Sequence, residues 1–128
     1  MTRREADRNE IHQMLEVYFE ALYHADPQAL SQVICDDGLY VCTTPGDYMN
    51  MNIPDYLAVV EKREAPAKRQ EVRREKVISI AFGGPDMAFV MLTMTMMGRE
   101  YTDFLTLYRH TGHWKIISKI FSYTQEGT

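Results

Sequence analysis

The stretch from Tyr101 to Tyr123, YTDFLTLYRHTGHWKIISKIFSY, limits what this chain can fold into more than any other. It reads as two long strands joined by a tight turn. Apolar side chains fall on both parities of the first arm: Tyr101, Leu105 and Leu107 on one, Phe104 and Tyr108 on the other. The second arm repeats this, with Trp114, Ile116 and Ile120 on one parity and Ile117 and Phe121 on the other. Between the arms, His110-Thr111-Gly112 is expected as a three-residue loop, with glycine where a left-handed backbone is needed. A strand that is apolar on both faces must be covered on both faces. The hairpin is therefore expected at the centre of a sheet, with helices against one side and a further partner against the other.

The rest of the chain supplies those helices. Thr2 and Glu5 have capping-box spacing, and Ile11, Leu15, Tyr18 and Leu22 follow at helical intervals, predicting a helix over 4–24. Asp26-Pro27 restarts the chain as N-cap and first helical residue, for a short helix carrying Leu30, Val33 and Ile34 and ending near Cys35. A strand is expected over 39–43, a loop over 48–52, and a third helix capped by Asn52 with Pro54 in its first turn. The polar run EKREAPAKRQEVRREK reads as a solvated helix end and an exposed edge. Strands follow over 77–82 and 87–97 before the hairpin, separated by Gly83-Gly84-Pro85-Asp86 and Gly98-Arg99. Helices come first and four consecutive antiparallel strands last, which is an α+β arrangement in a single domain spanning 1–128.

Composition excludes several functions. A formal net charge of −4 argues against nucleic acid, which demands a basic surface. No apolar run approaches the roughly 18 residues of a membrane span, and the charged start MTRREADRNE lacks the apolar region of a signal peptide. Two cysteines, Cys35 and Cys42, are too few for a disulfide framework, so a reducing cytoplasmic compartment is the expectation. The chain contains no phosphate-binding glycine loop, no nucleophile elbow and no zinc spacing, and no cofactor is expected. His110 and His113 sit at a turn without a third or fourth ligand beside them, a poor metal site.

Two segments resemble a known superfamily. The opening YFEALYHADPQALSQVICDDGLYV, an aromatic helix followed by an aspartate restart and a D-D pair before a strand, is similar to the start of nuclear transport factor 2-like (NTF2-like) proteins. The ending YTDFLTLYRHTGHWKIISKIF resembles the branch that groups lumazine-binding and SnoaL-like proteins, with Y-x-D-F-L-x-L and G-x-W-K-I-x-x-K-x-F. The resemblance implies a cone: a curved, mostly antiparallel sheet wrapped around N-terminal helices. It also implies a small-molecule pocket between sheet and helices, and a homodimer through the outer sheet face. That scaffold hosts isomerases, dehydratases, cyclases and transport factors, so it does not name a reaction.

Candidate site residues follow from both readings. In the ketosteroid isomerases, which share the implied fold, a first-helix tyrosine donates to the dienolate oxygen; counted from Asp26, it falls on Tyr18. The plainer reading of Tyr18 is a core aromatic whose hydroxyl is satisfied locally. The same count puts the isomerase's general-base aspartate on Cys42, so that mechanism does not carry over, and Cys42 reads as a buried thiol near the pocket. Asp103 lies in mid-strand among apolar neighbours, where an ionised group needs a partner. If Arg109 pairs with His113, Asp103 faces Lys119 across the hairpin. The two then form either a structural ion pair or an acid or base with a cationic partner that tunes it or binds an anionic ligand group. Met87, Met91, Met94, Met96 and Met97 make one strand rich in adaptable thioethers, and Tyr40, Tyr48 and Tyr56 surround the segment that closes the mouth in the superfamily.

Three functions stay open on this sequence. The first is binding of a small, largely apolar molecule by Tyr18, Tyr40, Cys42, Tyr56, Met94, Asp103 and Lys119. The second is a cofactor-free isomerase, dehydratase or cyclase with Asp103 as acid or base and Tyr18 as oxyanion donor. The third is an interaction module whose hollow its own aromatics fill.

Overall fold

The computed structural model describes residues 2–125. Helix α1, Arg3–Tyr23, opens with the capping box: the Thr2 hydroxyl accepts from the Glu5 N–H, and the Glu5 carboxylate accepts from the Thr2 N–H. Helix α2, Pro27–Ser31, starts on Asp26, whose side chain accepts from Ala29 N–H, and is shorter than the spacing predicts. The chain leaves it directly into strand β1, Ile34–Cys42, so Ile34 and Cys35 are strand rather than helix. Strand β2, Met49–Asn52, occupies the segment expected as a loop, and Asn52 then caps helix α3, Ile53–Lys62. As expected of the polar run, its first residues, Glu61 and Lys62, are the exposed end of α3 and its last belong to a sheet edge, strand β3, Arg74–Phe82, with a 3₁₀ turn, Pro66–Arg69, between them. Strands β4, Met87–Met96, β5, Arg99–His110, and β6, His113–Gln125, complete the chain.

The six strands form one sheet in the order β2-β1-β6-β5-β4-β3, and the β5–β6 hairpin lies at its centre as expected. All neighbours are antiparallel except β1 and β6. The hairpin turn is two residues, Thr111-Gly112, rather than three, because His110 pairs with His113. Both turn residues have positive φ, 48° and 86°, the primed geometry that matches strand twist.

One irregularity in β6 decides which side chains face the helices. Pairing runs Leu107 to Ile116 and then Thr106 to Ser118, leaving Ile117 as an extra residue. This β-bulge inverts the parity of everything beyond it. Trp114 and Ile116 point inward before it, and Lys119 and Phe121 point inward after it. The outer face therefore bears Phe104 and Ile120, while Trp114 and Ile116 are core. β1 bulges at the same level, where Gly38 passes close to the backbone of β6: a Cβ there would meet Cys35 O at 2.9 Å and Ile117 O at 3.0 Å. Bulges of this kind bend strands, and the sheet curves around the helices.

The core fills the concave side. Ile11, Leu15 and Leu22 of α1, Leu30 of α2, and Ile53 and Val60 of α3 pack against Val90, Leu92, Leu105, Leu107 and Ile116. Each such side chain contributes about 1.5–3 kcal/mol by leaving water. At one end of the sheet a charge cluster around the buried Asp7 ties α1 to the strands. Arg109 donates from Nη1 and Nη2 to the two Asp7 oxygens at 2.9 and 3.1 Å, and also reaches Asp86 and the Pro85 carbonyl.

Candidate functional site

At the other end, the concave face and α3 leave a cavity of about 160 Å³. Asp103 reaches it from the row Cys42–Phe121–Asp103–Leu92 that crosses four strands. The next inner row carries Tyr40, Lys119 and Leu105. Asp103 and Lys119 are thus not direct cross-strand partners: Asp103 pairs with Phe121 and Lys119 with Leu105. The bulge nevertheless puts both on the same face as diagonal neighbours.

Asp103 is 1% exposed and Lys119 5%. Tyr18, placed by the buried stripe of α1, donates its hydroxyl to Asp103 Oδ2 at 2.7 Å. Lys119 Nζ stands 3.9 Å from the same oxygen and donates to the Tyr56 hydroxyl at 3.4 Å. Four rings enclose this ammonium, with centroids at 5.1 Å for Tyr18, 5.2 Å for Phe121, 5.4 Å for Tyr56 and 5.8 Å for Tyr40. Ring quadrupoles and a carboxylate together replace the hydration a buried cation loses. Tyr40 and Tyr56 stack at 4.0 Å, and Tyr40 meets Phe121 edge-on at 5.1 Å. Asp103 Oδ1, by contrast, has no hydrogen-bond partner among the described residues.

The phenols here are held neutral. Burial is the main cause of the rise in the Tyr18 pKa well above its ordinary value, reinforced by the Asp103 charge. Burial likewise raises Tyr40 and Tyr56, against the opposing charges of Lys119 at Tyr40 and Arg63 at both. Tyrosines of this kind remain hydrogen-bond donors at any physiological pH.

The lining brings together Tyr40, Tyr56, Met94, Asp103 and Lys119. Tyr18 touches the site through Asp103 rather than lining it, so the hydroxyl that the resemblance directs at an oxyanion donates to the carboxylate instead. Cys42 lies on the concave face of β1 but is fully buried and does not line the cavity. Tyr48 is 64% exposed and also stands apart. Among the sheet methionines, Met96 and Met97 join Met94, whereas Met87 is exposed on the outer side. Sequence reasoning missed Met49 and Met51, which alternate inward along β2, and Phe121, whose parity the bulge reverses. It also missed Arg63, which ends α3 inside a polar run, and Arg99 at the start of β5.

An α+β cone of helices inside a curved six-stranded sheet, with a hollow at its open end, is the NTF2-like architecture. The solved structure of an NTF-2 like protein of unknown function from Silicibacter pomeroyi superposes with a TM-score of 0.85 at 23% identity, over 97% of this chain and 100% of that one. One from Shewanella baltica gives 0.85 at 18% identity, over 98% and 100%. A ketosteroid isomerase-like protein from Erwinia carotovora atroseptica gives 0.67 at 17% identity, over 91% and 95%. Residues 6–122 match the family described as "Putative lumazine-binding", and the chain belongs to that family, with an NTF2-like fold. No curated protein matches the chain.

Proposed function

We propose that this protein binds a small, largely apolar molecule in the cavity between sheet and α3. The observation that carries this reading is Asp103: a buried carboxylate lines a methionine- and tyrosine-rich hollow with one oxygen held by Tyr18 and Lys119 and the other unpartnered. Buried polar atoms are nearly always satisfied, and a ligand N–H or O–H at Oδ1 does so here. The test compares native and denatured masses of freshly purified wild type and Asp103→Asn. Extra non-covalent mass on the wild type, lost or weakened in the variant, is the expected result. An Asp103→Asn protein that melts lower yet keeps the same bound mass would reduce Asp103 to a structural ion-pair partner.

A second reading has its own support. Asp103 and Lys119 place a carboxylate and an amine side by side on one cavity wall, the pairing an isomerase, dehydratase or cyclase uses to move a proton without a cofactor. In that reading Asp103 is the acid or base, and Tyr18 acts through it. An interaction module without ligand is the remaining alternative, and a clean native mass with no bound species favours it or an enzyme awaiting its substrate. Two buried free cysteines accord with a reducing, cytoplasmic setting.

A further inference from the structure

The charges around the cavity are unbalanced in a way that the apolar lining does not explain. The whole chain is acidic, at −4, yet three cations line this hollow, Arg63, Arg99 and Lys119, against one carboxylate, Asp103. Lys119 and Asp103 offset each other deep in the cavity. Arg63 and Arg99, half-buried, stand nearer the solvent. Among the described residues neither has a carboxylate within 4.0 Å, although Arg4, Arg69, Arg73 and Arg109 all do. The Arg63 side chain makes no hydrogen bond there. Arg99 donates to the Tyr101 hydroxyl at 3.4 Å and lies 4.1 Å from the Tyr123 ring centroid, which orients the guanidinium and leaves most of its donors free. Asp47, the carboxylate whose charge reaches Arg99, instead accepts from the Tyr123 hydroxyl.

Guanidinium groups with unused donors beside an apolar hollow recognise a planar anion. At about 160 Å³ the hollow is the size that holds one six-membered ring. We propose that the ligand is a compact organic acid, an aromatic ring or its equal in bulk, with its carboxylate on Arg63 and Arg99 and a hydrogen-bond donor at its opposite end on Asp103 Oδ1. The inference rests on the binding reading above and adds the chemical class. The ring lies among methionines and tyrosines, the acid group stays near water, and the buried donor fills the one unsatisfied carboxylate oxygen.

The experiment is calorimetric titration of the full chain with 4-hydroxybenzoate and with p-cresol, its uncharged counterpart. The acid is expected to bind at least about tenfold more tightly, and added salt to weaken the acid alone. Arg63→Gln and Arg99→Gln should each weaken the acid by about tenfold to a hundredfold and p-cresol far less, with Arg63→Lys keeping part of the affinity. Equal binding of acid and phenol, or acid binding indifferent to both arginines, overturns the acid and leaves the apolar cavity standing. If neither probe binds at millimolar concentration while the purified protein carries another non-covalent mass, the acid fails and binding survives. With no such mass either, both readings fail.

Discussion

Asp103 and Lys119 are each costly to bury alone and tolerable together. Lys119→Met leaves Asp103 as an uncompensated buried charge beside Tyr18, and a loss of about 3–5 kcal/mol is expected. The double variant Asp103→Leu with Lys119→Met removes both charges, and denaturant melts should show it recovering most of that loss. A double variant as unstable as the single one would mean that the aromatic enclosure, not the carboxylate, holds the ammonium. Asp7 carries a different prediction. Burial raises its pKa, but the Arg109 guanidinium on both oxygens outweighs this and holds it below the ordinary 3.8. Because the folded state binds its proton less readily than the unfolded one, the pair stabilises above the ordinary carboxylate range. That contribution is lost as pH falls through the folded value. Arg109→Gln should flatten the acid limb of a melting-temperature profile; an unchanged limb would place acid sensitivity elsewhere.

The extra residue in β6 is the element-scale feature on which the site depends. Without Ile117, Lys119 and Phe121 would point outward and the concave wall would lose its cation and one of its rings. β1 follows the bend by bringing Gly38 against the bulge, where backbone atoms already stand within 3.0 Å of any added Cβ. Gly38→Ala should cost about 1–3 kcal/mol by overpacking, read from chemical denaturation. If the variant is as stable as wild type, β1 and β6 are not in register through this contact. The charged run before β3 is the helix end and sheet edge its polarity predicts, but polarity alone could not single out Arg63, half-buried at the cavity.

At the scale of the molecule, the outer sheet face has no cover among the described residues. Val41, Ile120, Phe104 and Met91 are successive cross-strand partners in one row, and the Phe89 ring lies tilted against Phe104, centroids 5.6 Å apart. Phe104 is 42% exposed and Ile120 37%, adjoining each other across the hairpin. We infer that a second copy of the chain covers this row, since patches of this kind on soluble proteins mark interfaces. Phe104→Lys should shift sedimentation from dimer to monomer with little change in secondary structure; a monomeric wild type would sink the inference. No helix among the described residues is long and apolar enough to cross a membrane.

Local chemistry determined the parts of this protein that depend only on near neighbours. Caps at Thr2, Asp26 and Asn52, the central hairpin, the helices-then-strands order and the resemblance at both ends were legible because capping, turn formation and strand patterning act over a few residues. Burial of Asp103, Lys119 and Tyr18 was legible as a problem of partners, but its solution was not. Sheet register beyond a bulge is settled by how two curved strands and a helical layer pack, and a one-residue slip moves every later side chain to the other face. Only the tertiary structure could therefore set Lys119 among four rings, bring Tyr18 onto Asp103, leave Oδ1 unpartnered, and gather Arg63 and Arg99 at one hollow.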